Sequence, residues 1–144
     1  MSISTIFQIS SQAMTAQRER LETASANLAN ANTTRSGDGG AYRRRDVIFE
    51  AMPIAETNPT SDSATNGLQG VRATTLVATA DNGEKRFLPN HPDADANGFV
   101  TMPDVNPLEE MVNIMSAARA FEANATAFST AKEIMRASLK LSEG

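Results

Sequence analysis

The 144-residue chain has no cysteine, no tryptophan and a single histidine. Without cysteine there can be no disulfide framework, thiolate metal site or cysteine nucleophile. Aromatic residues are only 5% of the chain, so the rings from which one large core is usually built are scarce. No stretch approaches the roughly 18 uncharged apolar residues of a membrane span. Met1 to Ser10 contain neither a basic n-region nor a long apolar h-region, so no cleaved secretory signal is expected. The net charge of −4 speaks against a general nucleic-acid binder, which carries a basic footprint.

The chain does have apolar heptads at both ends. Phe7, Met14, Leu21 and Leu28 recur at one interval, with Ile3, Ala24 and Ala31 in a second register. Ile114, Phe121, Phe128 and Met135 repeat it near the C-terminus, with Met111, Ala118, Ala125 and Leu139 as companions. These are a/d seams of the coiled-coil type. Ser10, Gln17 and Lys132 are polar members, and the alanines supply little buried area. The same residues fit a helical hairpin within one chain or a helical layer shared among many chains. A lone pair of such helices would be weakly held, which favours assembly. Phe7, Met14, Leu21, Leu28, Met111, Ile114, Phe121, Phe128, Met135 and Leu139 are therefore the candidate packing residues.

The expected fold class is mainly α: long N- and C-terminal coiled-coil-forming helices around a small irregular, β-hairpin-containing middle. The expected organisation is an N-terminal helix segment at 1–34, a loop and short hairpin region at 35–103, and a C-terminal helix segment at 104–144. The first helix runs from residue 3 to about 32, where an Asn-rich run weakens it and Ser36 to Gly40 break it. Val47 to Phe49 read as a strand, and Thr57 to Gly70 as a mobile surface loop. Val71 to Ala80 and Glu84 to Leu88 read as a hairpin across the Asp81-Asn82-Gly83 turn. Asn106 as cap, Pro107 at the first position and Glu109 in the capping-box place start the second helix, which continues to Leu141.

Chemical motifs are few. Asp93-Ala94-Asp95-Ala96-Asn97-Gly98, with Asp104 at the twelfth place, matches the start of an EF-hand calcium loop. Pro89 and Pro92 leave no entering helix, however, and Asp104 is short for the closing position. A side-chain-supported turn is the simpler reading, and no metal or cofactor is assigned. His91, beside Pro92, has no triad partner, so no catalytic residue is assigned and a small hydrolase is a weak alternative. Arg43-Arg44-Arg45 could face phosphates or acidic lipids, but three charges in a loop are more simply read as solvated or paired with acids from a neighbour, with Glu19, Glu22 and Glu50 as nearby acids of the same chain. Asn124, next to a seam position, is either a register-setting polar residue or an exposed one.

Ala26-Asn27-Leu28-Ala29-Asn30-Ala31-Asn32-Thr33-Thr34, followed by Tyr42-Arg43, resembles the N-terminal signature of the bacterial flagellar axial family of rod, hook and hook-associated proteins. Glu110-Met111-Val112, Ala118 to Asn124 and Thr130-Ala131-Lys132 resemble that family's C-terminal signature. Pro89 to Val100 is similar to the block that marks its proximal rod member. The motif positions are Asn27, Asn30, Pro89, His91, Pro92, Asp93, Asp95, Gly98, Glu110, Arg119 and Asn124. Phe99 and Phe121 stand where the family more often has tyrosine, and Gly37 to Gly40 form a glycine-rich insertion. The resemblance implies a non-enzymatic structural subunit of the periplasmic rod, packed through its terminal helices into a torque-transmitting shaft. It implies self-association, other rod proteins and the basal-body/export-gate junction as partners. It also implies passage through the flagellar export apparatus without a cleaved signal peptide. The alternatives are another rod or hook subunit, or a calcium-binding module using Asp93 to Asp104.

Overall fold

In chain order the elements are α1 (Ile3–Ala29), β1 (Arg45–Pro53), β2 (Gln69–Val77), β3 (Lys85–Phe87), β4 (Phe99–Thr101) and α2 (Pro107–Ser142). They come from a computed structural model that describes residues 3–37, 39–54, 69–79 and 83–142. The fold is mainly α, with two long terminal helices and a small strand region between them. The expected surface loop lies outside the described residues except for Gln69 and Gly70, which belong to β2. Asp81 and Asn82 of the expected turn lie outside them too.

Local chemistry sets the helix ends. The α1 ladder stops at Ala29, where the Asn30 side chain donates to the Ala26 carbonyl at 2.8 Å and so competes with the backbone. Asn106 caps α2: its Oδ1 accepts the Leu108 N–H at 3.0 Å. Pro107 occupies the first position, where its missing donor costs nothing, and Glu109 and Glu110 sit in the positive first turn.

The strand pairing differs from the expected hairpin. β2 pairs with β1, and β3 pairs with β4. Ala78 N–H donates to the Arg44 carbonyl at 2.9 Å, which sets the start of β1 beside the end of β2. In the second ribbon Lys85 opposes Thr101, Arg86 opposes Val100 and Phe87 opposes Phe99, antiparallel. Two features select this register over a return onto β2. Phe87 and Phe99 meet edge to face at 5.3 Å, a favourable cross-strand pair. Val100, opposite Arg86, is fully buried. Gly98 makes the turn into β4 at φ +80°, a conformation that L side chains rarely adopt.

The chain divides into two compact units, to each of which α1, α2 and the β1–β2 ribbon contribute segments. One unit holds Met1–Glu19, Ile48–Thr74 and Ser116–Gly144. Ala16, Ala117 and Ala131 are buried in it, and Phe7 meets Phe128 edge to face at 4.7 Å. Gly70 lies against the Gln12 carboxamide there, and a Cβ at that position would force the end of that side chain to shift. The other unit holds Arg20–Val47 and Thr75–Met115. Its buried apolar residues are Ala24, Ala31, Ala41 and Val100, and its buried polar residues are Thr23, Asn27 and Glu110, the last two almost completely enclosed.

Candidate assembly surface and polar clasp

Within the second unit, segments distant in sequence are joined by side-chain polarity. Asn27, 1% exposed, donates from Nδ2 to the Arg45 carbonyl at 2.8 Å, and its Oδ1 accepts the Arg45 N–H at 2.9 Å. One amide side chain thus does for Arg45 what a neighbouring strand would do. The same Oδ1 accepts the Tyr42 hydroxyl at 3.0 Å. Burial raises the Tyr42 pKa above its usual value, against the opposing pull of Arg45, so the hydroxyl keeps its proton and remains a donor.

The next residue back carries the second half of the clasp. Arg44 Nε lies 2.9 Å from Oε1 of Glu110, whose side chain is 1% exposed. Asp46 approaches the same guanidinium at 3.2 Å from a more exposed position. Burial works against the Arg44 charge, but the hydrogen bond it donates to Glu110 and the field of Asp46 outweigh it, so its pKa is raised. Arg44 therefore pairs within the chain with Glu110, 66 positions away, and with Asp46, two positions away, neither of them among Glu19, Glu22 and Glu50. Further along α2, Arg20 Nη2 donates to Asn113 Oδ1 at 2.9 Å.

Residues 89–98 form a tight knot tied to the α1 exit. Asp93 accepts from Arg35 Nε at 2.9 Å and from the Thr34 hydroxyl at 2.8 Å. Its own N–H donates to His91 Nδ1 at 3.1 Å, so the lone histidine serves a turn. Asp95 Oδ1 accepts the Asn97 and Phe99 N–H groups at 2.8 and 2.9 Å, and these bonds, Phe99 first, hold its carboxyl below the usual range. Pro89 packs by the turn, near the space a Cβ on Gly98 would take, and Pro92 is exposed. Both carboxylates at the head of the calcium-like sequence are thus engaged by protein donors. Among the described residues no group of three His, Asp or Glu side chains is placed to hold a metal ion.

The heptad residues divide. Phe7, Met14, Leu21 and Leu28 of α1 are all half-buried, as are Ile114, Phe128 and Met135 of α2. Met111, Phe121 and Leu139 are exposed in the single chain. The buried companions on α2 are Glu110, Ala117 and Ala131, with Asn124 half-buried and donating to the Ala120 carbonyl at 2.8 Å. The inward face therefore lies one residue before the register of Met111, Ala118 and Ala125. Arg119 is exposed, and Asn30 is half-buried at the α1 exit. In the second unit Leu108, Met111, Val112 and Met115 make a continuous exposed apolar stripe at i, i+3, i+4 and i+7. In the first, Phe121, Ile134, Leu139 and Leu141 are exposed.

The family described as flagella basal body rod protein matches residues 7–35, and flagellar basal body rod FlgEFG protein C-terminal matches residues 96–141. These spans contain the two buried polar anchors, Asn27 and Glu110. A flagellar basal-body rod protein FlgC from Borreliella burgdorferi is 38% identical, with 94% of this chain and 95% of the relative covered. FlgC from Escherichia coli O6:H1 is 37% identical over 99% of this chain and 100% of the relative, and FlgC from Bacillus subtilis is 34% identical over 92% and 93%. The chain belongs to the FlgC family of flagellar basal-body rod proteins. As a FlgC-family member it is a structural subunit of the basal-body rod, assembled with other rod components. Among the described residues no helix is long and apolar enough to cross a membrane.

The sequence marks Asn27 and Glu110 as buried anchors only through their place in family motifs, and Asp93 through its motif and the calcium-loop-like spacing. Of their partners, Thr34 and Tyr42 lie in the N-terminal signature, whereas Arg35 carried no mark and Arg44 only its place in the arginine run. The available signal was a run of polar residues at a helix exit, followed by three arginines of which only Arg44 is partly buried.

Proposed function

We propose that the rod subunit assembles through its terminal segments, residues 1–34 and 104–144. They pack helix to helix against neighbouring copies and other rod proteins into a torque-transmitting shaft in the periplasm. Phe7, Met14, Leu21, Leu28, Met111, Ile114, Phe121, Phe128, Met135 and Leu139 make the packing seams. The single observation that carries this reading is the exposed apolar side of α2, at Leu108, Met111, Val112 and Met115 in one unit and Phe121, Ile134 and Leu139 in the other. Exposed large apolar side chains in such number mark surfaces that are covered in the working state. The subunit reaches the rod through the flagellar export apparatus without a cleaved signal, meets the basal-body/export-gate junction, and performs no catalysis. It binds no nucleic acid, spans no membrane and needs no cofactor.

The test is Phe121→Asp. The side chain is exposed in the single chain, so the variant folds and is made in normal amounts. In an assembled seam its carboxylate is buried without a partner, at a cost of several kcal/mol. Cells carrying it should lack complete rods and swimming. Full motility at normal protein levels refutes the seam role.

A further inference from the structure

We infer that the β3–β4 ribbon of one copy docks into the apolar groove at the start of α2 of the next copy, with Lys85 facing Glu109. The inference rests on the rod-subunit reading and adds to it the pair of surfaces that meet. The ribbon alternates its faces, so Arg86 and Val100 lie on one side and Lys85, Phe87 and Phe99 on the other. Val100 turns inward and is fully buried, which leaves Lys85, Phe87 and Phe99 on the outer side. Phe87 is 63% exposed although its ring already braces Phe99, so the aromatic pair stands as a preformed, rigid knob with one positive charge beside it.

The complementary surface lies on α2. Leu108, Glu109, Val112 and Asn113 line a shallow, widely open groove along one side of the helix, of about 420 Å³. Leu108 is 69% and Val112 58% exposed, and Glu109 at its edge supplies one negative charge. An aromatic knob entering an aliphatic groove, with opposite charges at the rim, is the arrangement of a central anchor with charge-selected register. The two patches differ in shape and sign, so neither can pair with itself. Contact between them is heterologous, and a heterologous contact whose rotation does not close produces an open helical array. A subunit of a rod needs such a contact, and a second copy carries the matching half.

The experiment has two arms, both on the full chain in cells. In the first, p-benzoylphenylalanine replaces Phe87, keeping a ring at the knob, and isolated basal bodies are irradiated. The expected product is a covalent dimer of two copies, with the link mapped to residues 108–115. Basal bodies that contain the variant but give no dimer, or a link to a different protein, overturn the docking while leaving the rod reading intact. Absence of the wild-type chain from basal bodies overturns both. In the second arm Lys85→Glu and Glu109→Lys should each reduce swimming, and their combination should restore it. A double variant no better than either single one overturns the charge pairing.

Discussion

Removing the Glu110 carboxylate tests the clasp most directly. In Glu110→Ala the Arg44 guanidinium loses its 2.9 Å partner and keeps only Asp46 at 3.2 Å. Breaking a buried pair from one side costs about 3–5 kcal/mol, because the remaining charge is left desolvated. Arg44 retains 30% side-chain exposure and a second acid, so the lower end, about 3 kcal/mol, applies here. Against a total stability of about 5–15 kcal/mol, that is a large fraction. With a urea slope of about 2 kcal/mol per molar, the unfolding midpoint should fall by about 1.5 M at unchanged slope. The double variant Arg44→Met, Glu110→Met removes both charges and should lie closer to the parent than the single variant does. Far-UV circular dichroism against urea measures all three. A midpoint shift below about 0.5 M for Glu110→Ala, or a double variant less stable than the single one, refutes the buried ion pair.

Asn27→Ala removes three hydrogen bonds and strands the Arg45 N–H and the Tyr42 hydroxyl, so thermal unfolding should report a loss of about 2–4 kcal/mol. The Asp95 carboxyl is held below its ordinary value of 3.8 in the folded chain, so its contribution is complete above that pH and is lost as pH falls through the depressed value. Melting temperature should therefore decline less on acidification in Asp95→Asn than in the parent. Because Arg35, Thr34 and backbone N–H groups engage Asp93 and Asp95, a calcium chelator should leave the melting temperature unchanged. A drop that added calcium reverses would return the loop to metal binding.

The helices were legible because their signals are local. The heptads, the Asn106-Pro107 start and the Asn-rich exit of α1 all act within a few residues of themselves. The strand pairing was not local. Asp81-Asn82-Gly83 offered the shorter loop, yet Val100 is buried only when Phe99–Thr101 lies beside Lys85–Phe87. That choice is made by tertiary burial, which propensity does not record. Within the single chain the inward face of α2 lies one residue before the Met111 register for a related reason. Hydropathy ranks Met111 as inward and Glu110 as outward, but Arg44 neutralises Glu110 and draws it inside, which leaves Met111 at the surface. A residue whose partner lies 66 positions away cannot announce its burial in a seven-residue window.

The distribution of side-chain size between inside and outside bears on why such a chain is built this way. The buried apolar residues described are six alanines and Val100, and the largest fully buried side chains include Glu110 and Asn27. Phe121, Leu139, Met111 and Leu108 stay outside. Fully burying one large apolar side chain contributes about 1.5–3 kcal/mol, and a single methylene about 0.8. A chain that fully encloses little more than methyl groups, half-buries its α1 heptad residues and exposes other leucines and phenylalanines leaves part of its hydrophobic free energy unrealised while alone. The polar clasp supplies what the small core does not: directional bonds that hold the α1 exit, the β1 start and the α2 start in one arrangement. The proposed contacts between copies then draw on the large apolar side chains. Under that division, substitutions in the clasp change the stability of the monomer, whereas a substitution at Phe121 leaves the monomer folded and stops assembly. A variant at Phe121 that unfolded the isolated chain, or one at Glu110 that left its stability untouched, would break the division.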